Sequence, residues 1–241
     1  MVNIKDLMKT IKKLDMIDLT YPIEPEMLVN TGLKRPVFEW VSRINSEGLN
    51  ITHFNMLVHT GTHIDSPFHA IKNGETVDEI PLNKIIGIGK LFRLEKFKYK
   101  SEITIDDVIK SGYKIEKDSI FIFHTGIEKY SNKKEYNYNY SVPSIELIEW
   151  LVENKISSFM TDITNVDFPN ENDFSRHKLL LKANIPIIEN LKNLSLLPFN
   201  EEIILFALPL LLNKREGAPC RIIALENKYK THKAKMEQKN D

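Results

Sequence analysis

The chain has 241 residues, long enough to bury a core of its own, and its 42% apolar and 27% charged content excludes a disordered or fibrous protein. Its 33 Lys and Arg residues balance 33 Asp and Glu, so no net field draws in nucleic acid or an anionic membrane surface. A single cysteine, Cys220, leaves no intrachain disulfide, and without an apolar segment and cleavage site near the start, a cytoplasmic location is expected.

In chain order, short runs rich in β-branched or aromatic residues predict strands at 15–20, 51–58, 90–94 and 119–123. The stretch 130–140, rich in Lys, Asn and Tyr, is too polar for a core and predicts a surface loop. Ser144 opens a helical pattern through Ile145, Ile148, Leu151 and Val152, with Glu146 and Glu149 where the helix dipole favours them. Next come a strand at 158–162, a helix near 175–183, a strand at 185–189 and strands at 203–208 and 221–224. The apolar run 203–212, broken by Pro209, is about half of the ~20 residues a membrane span needs, and predicts a buried strand pair. No Gly or Pro cluster forms a linker. The expectation is one α/β domain weighted toward β over residues 1–226, then a charged, frayed tail at 227–241 containing Lys228, Lys230, Lys233, Lys235 and Lys239.

Four of the seven histidines fall between positions 53 and 69. Taken singly, His53, His124 and His232 are read as hydrogen-bonded core residues. The segment His59-Thr-Gly-Thr-His63-Ile-Asp65-Ser-Pro-Phe-His69 differs in kind. Imidazole and carboxylate are the usual ligands of Zn²⁺ and Mn²⁺, and His59, His63 and Asp65 supply the three that a catalytic site wants while leaving a position for water. Residues four apart on an extended strand are ~13 Å apart, so the chain must bend between His59 and His63. Gly61, midway, permits that bend, and the flanking Thr60 and Thr62 can satisfy the backbone groups it frees. Asp65 shares a face with His63 if the chain is extended there, and has two oxygens with which to bridge two ions. Pro67 turns the chain so that His69 can approach as a proton carrier near neutral pH. A polar turn without metal, or a purely structural metal, is the alternative.

Asn172, Asp173 and Ser175 are good helix caps, placing His177 in the first turn of the helix that follows. Glu189 closes the apolar strand Ile185-Pro-Ile-Ile188, where a carboxylate needs a partner such as a metal. By itself this pair is more commonly a surface ion pair, or a strand-end Glu in water. Asp162 and Asp167 are each placed either to orient a metal-bound histidine from behind or to cap a loop.

These residues resemble the cyclase family of metal-dependent hydrolases, which includes bacterial kynurenine formamidases and isatin hydrolases. The segment 59–69 matches the signature H-x-G-T-H-x-D-x-P-x-H at every fixed position. The likeness extends over roughly residues 15–225, through Ile17-Asp-Leu-Thr20, Thr125-Gly126, the interval from His177 to Glu189, Asn190-Leu191, Leu208-Pro-Leu, Glu216-Gly-Ala-Pro219 and Arg221. The resemblance implies a swivelling β/β/α fold, a β-rich mixed sheet with flanking helices, a homodimer or homotetramer, and one or two Zn²⁺ or Mn²⁺ ions. It implies that His59, His63, Asp65, His177 and Glu189 hold metal and that His69 shuttles protons; Thr62, Asp162 and Asp167 are candidates, read from the residues alone, for the positions behind the ligands. The expected reaction is hydrolysis of an amide-type C–N bond in a small molecule, N-formylkynurenine foremost. A cyclic amide such as isatin, or a lactone, is the second expectation, and a metal-binding protein without catalysis the third. One departure is that residues 27–32 lack the Trp that kynurenine formamidases place against an aromatic substrate, and Trp40 lies farther along.

Overall fold

The computed structural model describes residues 3–29, 33–94 and 99–227. The tail beyond position 227, with His232, and part of the stretch 27–32 therefore lie outside the described residues. In chain order the elements are α1 (Ile4–Ile11), β1 (Leu14–Asp18), β2 (Val37–Ser42), α2 (Ile44–Glu47), β3 (Ile51–Asn55), β4 (His63–Asp65), α3 (Leu82–Ile85), β5 (Ile86–Arg93) and β6 (Glu102–Ile103). There follow α4 (Ile105–Lys110), β7 (Ile120–His124), β8 (Val142–Pro143), α5 (Ile145–Glu153), β9 (Ser158–Thr161), α6 (Ser175–Lys182), β10 (Ile187–Glu189), β11 (Ile203–Pro209) and β12 (Gly217–Asn227).

Eight strands form one sheet in the order β1-β12-β11-β5-β7-β9-β10-β4, and an additional β12–β4 pairing closes it on itself, leaving β1 as a flange. The strands β5, β7, β9 and β10 run parallel to their neighbours in that series, and the remaining pairings are antiparallel. This is the β-rich mixed α/β architecture with flanking helices that the sequence predicts.

Period-2 alternation explains why both faces of the sheet are apolar. In β7, Ile120 and Ile122 join Ile64, Leu91, Met160, Ile188, Leu205 and Ile222 in one core, while Phe121 and Phe123 join a second core with Leu147, Ile148 and Leu151 of α5 and Leu180 and Leu181 of α6. Each such side chain contributes about 1.5–3 kcal/mol on burial. Helix α5 starts where expected, with the Ser144 hydroxyl accepting from the Leu147 amide.

Several expectations are corrected. Residues 130–140 are a surface loop only in part: Asn132, Lys133 and Tyr138 are exposed, whereas Tyr136 and Tyr140 are 4% and 1% exposed and pack in the second core. Their hydroxyls make that burial possible, Tyr136 donating to the Asp162 carbonyl and Tyr140 to the Asp167 carbonyl. The run 203–212 contributes one strand, β11, whose partners are β12 and β5. Its Ile204 and Leu208 side chains stay exposed because the strand alternates between core and solvent. His53 is exposed on β3, 3.8 Å from Glu39 on β2, and Trp40 is stacked under Arg43 on the same two-stranded hairpin, outside the main sheet. His124 is buried and accepts from Arg93 Nε, as a core histidine should. Among the described residues no helix is long and apolar enough to cross a membrane.

Candidate metal centre

The strand register assembles the site. β4 lies between β10 and β12, with His63 opposite Glu189 on one side and opposite Pro219 on the other. Glu189 is the last residue of β10, so it meets the start of β4 at the carboxyl end of the parallel strands, the side where open crevices in α/β sheets bind ligands. The expected bend between His59 and His63 is present, with Gly61 at φ +67°. Beyond Asp65, Pro67–His69 forms a single 3₁₀ turn that returns His69 toward His59, their ring centroids 4.3 Å apart.

Six side chains from two distant stretches thus converge. Nδ1 of His59 lies 2.7 Å and Nε2 of His63 3.4 Å from Asp65 Oδ1, and Nε2 of His177 lies 3.6 Å from Asp65 Oδ2. Glu189 stands 3.7 Å from Nε2 of both His63 and His177. Ligand atoms of His59, Asp65 and His69 lie within 4.8 Å of one another, as do those of His63, Asp65 and Glu189, so Asp65 belongs to both groups.

The residues fit a divalent cation. Both carboxylate oxygens of Asp65 and Nε2 of His59 are buried without a hydrogen-bond partner, although imidazoles crowd around them. Such atoms are costly unless something other than a hydrogen-bond donor satisfies them. The tautomers agree: Nδ1 of His63 is 2.9 Å from the Gly61 carbonyl and Nδ1 of His177 is 2.6 Å from Asp167 Oδ2, which leaves each Nε2 free to ligate.

The electrostatics point the same way. Burial works against charge on Asp65, yet His63, His177 and His59 hold its carboxyl well below the usual range. Burial, reinforced by the Asp65 charge, pushes Glu189 up. Burial pushes His63 down to about 4. For His177 burial opposes charge too, but the hydrogen bond with Asp167 and the nearby Asp65 and Glu189 carboxylates raise it to about 10. Two buried carboxylates facing each other call for positive charge between them.

Asp167 and Asp162 take different places. Asp167 holds His177 and also accepts from the backbone amides of Arg176 (2.9 Å) and His177 (3.3 Å), capping α6. The expected caps Asn172, Asp173 and Ser175 do not do this; Phe174 occupies the N-cap position without a side-chain cap bond. Asp162 accepts from the amides of Thr125 and Gly126 and from the Thr125 hydroxyl, and so secures that turn, touching none of the six. Thr62 donates to the Asn190 carbonyl and accepts from the Tyr21 amide, tying the bend to the residue after Glu189.

Three contributors escaped the sequence reading. Glu216 lies 3.7 Å from Nε2 of His59, and Gly217 leaves room for the His59 ring, since a Cβ there would sit 2.9 Å from Cε1 of His59 and 2.7 Å from the Ile64 carbonyl. Both belong to the Glu216-Gly-Ala-Pro219 motif, which pointed to a family but not to a role. Phe174, whose ring stands 6.2 Å from that of His177, carried no signal at all. The cluster opens onto a cavity of about 700 Å³ whose lining includes Leu57, Val58, Tyr138, Tyr140, Phe174 and Glu216, a volume ordinary for a small-molecule site.

The family model described as "Putative cyclase" matches residues 17–168. A kynurenine formamidase from Bacillus mycoides (strain KBAB4) is 26% identical over 217 residues, spanning 86% of this chain and 95% of that protein. One from Salinibacter ruber (strain DSM 13855 / M31) is 24% identical over 210 residues, spanning 86% and 96%. Among solved structures, a "predicted metal-dependent hydrolase from Bacillus stearothermophilus" is 26% identical, with a TM-score of 0.73 over 88% of this chain and 98% of that one. Isatin hydrolase A from Labrenzia aggregata, at 24% identity, shares the fold with a TM-score of 0.81 over 93% and 99%.

Proposed function

We propose, from the premise that this chain belongs to the Cyclase family, that it is a metal-dependent hydrolase of amide-type C–N bonds, with N-formylkynurenine as its substrate. The single observation that carries this reading is Asp65. Its two oxygens are buried without hydrogen-bond donors, shared between two sets of ligand atoms, at the end of a small-molecule cavity.

In this reading His59, His63, Asp65, His177 and Glu189 hold one or two Zn²⁺ ions, with Mn²⁺ the alternative. When bound, such a cation supplies Lewis acidity, which brings the pKa of water from about 15.7 to about 7 and polarises a carbonyl. The protein's own part is positional and protonic. Asp167 and the Gly61 carbonyl fix the two ring tautomers, and the cavity admits the scissile amide. His69 moves the proton: it is the most exposed of the six, its ring centroid lies 5.5 Å from that of His177, and burial of part of the ring pushes its pKa down, which favours the neutral form that accepts a proton. A ring nitrogen of His69 then returns that proton to the leaving amine, a contribution of ~10²–10⁴-fold. A homodimer or homotetramer belongs to the same reading, and light scattering tests it.

The deciding experiment is metal analysis of protein purified without chelator, paired with hydrolysis of N-formylkynurenine, isatin and a simple lactone. Bound divalent metal and preference for N-formylkynurenine are expected. Preference for either of the others moves the substrate to a cyclic amide or ester. Bound metal without turnover of any amide or ester in a broad panel makes this a metal-binding protein.

A further inference from the structure

Phe174 sits at φ +52°, ψ +43°, the left-handed region that bulky L-residues rarely adopt and that Gly or Asn enters at less cost. Nothing local demands a phenyl ring there. The amides of the first turn of α6 are capped by Asp167, so the position needs no particular side chain for capping. Phe174 is 45% exposed, so core burial does not offset the backbone cost. What the conformation does achieve is to hold the ring over the cavity, edge-on to His177 at an interplanar angle of 82° and a centroid distance of 6.2 Å. Strain kept at the rim of a binding cavity, with no structural return, is the pattern expected of a group held ready for a ligand.

We infer that Phe174 is the specificity-determining wall of the cavity, presenting its ring to a planar aromatic portion of the substrate attached to the scissile amide. This rests on the reading of the cluster as a hydrolytic site. The rest of the lining suits such a ring, because Leu57, Val58, Tyr138 and Pro169 also line the cavity and offer flat or apolar contact. Aromatic pairs prefer offset or edge-on geometry at centroid separations of about 4.5–7 Å, which a rigid ring held at a fixed backbone angle can provide without losing freedom on binding.

The test uses a probe that cannot be hydrolysed, 2-aminoacetophenone, titrated by calorimetry into metal-replete wild type and the variants Phe174→Asn, Phe174→Leu and Phe174→Tyr, with thermal unfolding of each. Phe174→Asn and Phe174→Leu are expected to weaken probe binding about tenfold, Phe174→Tyr to restore it, and Phe174→Asn to raise Tm by about 2–4 °C through relief of the backbone. Unchanged affinity in Asn and Leu variants, no saturable binding to wild type, or a fall in Tm for Phe174→Asn would each overturn the inference. The two readings fail separately. Ring binding that depends on Phe174 without any amide turnover removes the hydrolase and leaves the wall. Turnover of N-formylkynurenine with KM unaltered by Phe174→Leu removes the wall and leaves the hydrolase.

Discussion

Asp167 grips His177 twice: its Oδ2 lies 2.6 Å from the ring Nδ1 and accepts from the same residue's backbone amide at 3.3 Å, while Oδ1 takes the amide of Arg176. One carboxylate therefore both starts helix α6 and sets which nitrogen of His177 faces the cluster. Asp167→Ala is expected to lower metal affinity 10–100-fold and, through the lost cap, to cost about 0.5–2 kcal/mol of stability. Competition with a chelator and thermal unfolding measure the two effects, and a loss of stability with metal affinity intact would separate the cap from the site.

His69→Ala is expected to leave metal content near that of wild type and to remove turnover. Because ligand atoms of His69 also lie near those of His59 and Asp65, elemental analysis of the variant is decisive: loss of metal would make His69 a ligand.

Asp65→Asn removes the charge common to both groups of ligand atoms while keeping the shape. Metal content should fall to background. The metal-free variant should unfold at a lower temperature than metal-free wild type, since the imidazoles that hold the Asp65 carboxyl well below its usual range lose their charged partner. A metal-free variant more stable than metal-free wild type would count against this electrostatic account.

Away from the cluster, Glu128 predicts a pH effect. Burial opposes its charge, but the His124 side chain and the amides of Leu194 and Ser195 outweigh it and hold the carboxyl at about 2. A carboxyl whose pKa is lowered on folding stabilises above its unfolded value of about 4.5 and loses that contribution as pH falls toward 2. Wild type should therefore lose stability relative to Glu128→Gln as the solution is acidified across that window. Parallel urea midpoints for the two proteins between pH 4.5 and 2 would refute it.

Much of the candidate site was legible because its local spacing is chemically demanding. Two histidines four apart can approach one ion only if the chain bends, and Gly61 at φ +67° is that bend. Strands β5, β7, β9 and β10 and helices α5 and α6 were legible from composition, caps and periodicity, with boundaries shifted by at most four residues. Other features depend on tertiary partners. Tyr136 and Tyr140 look polar in their Lys- and Asn-rich context, and only the carbonyls of Asp162 and Asp167 make their burial possible. The cap of α6 comes from a residue eight positions before Ser175, not from the Asn, Asp and Ser next to it. Phe174 was invisible because no propensity places a bulky aromatic in the left-handed region.

The position of β4 has a consequence for how this protein comes to fold. That three-residue strand fills the gap between β10 and β12, so its His63 and Asp65 acquire their neighbours only when chain segments separated by well over a hundred residues have met. Closure of the ring is the costly, long-range event, and it is the same event that completes the ligand set. A cation that binds the closed form alone is thus a clasp on the seam, stabilising it by an amount that grows with the logarithm of its free concentration. Starved of metal, the molecule should breathe first along β4, and amide exchange at Ile64 would be the earliest sign.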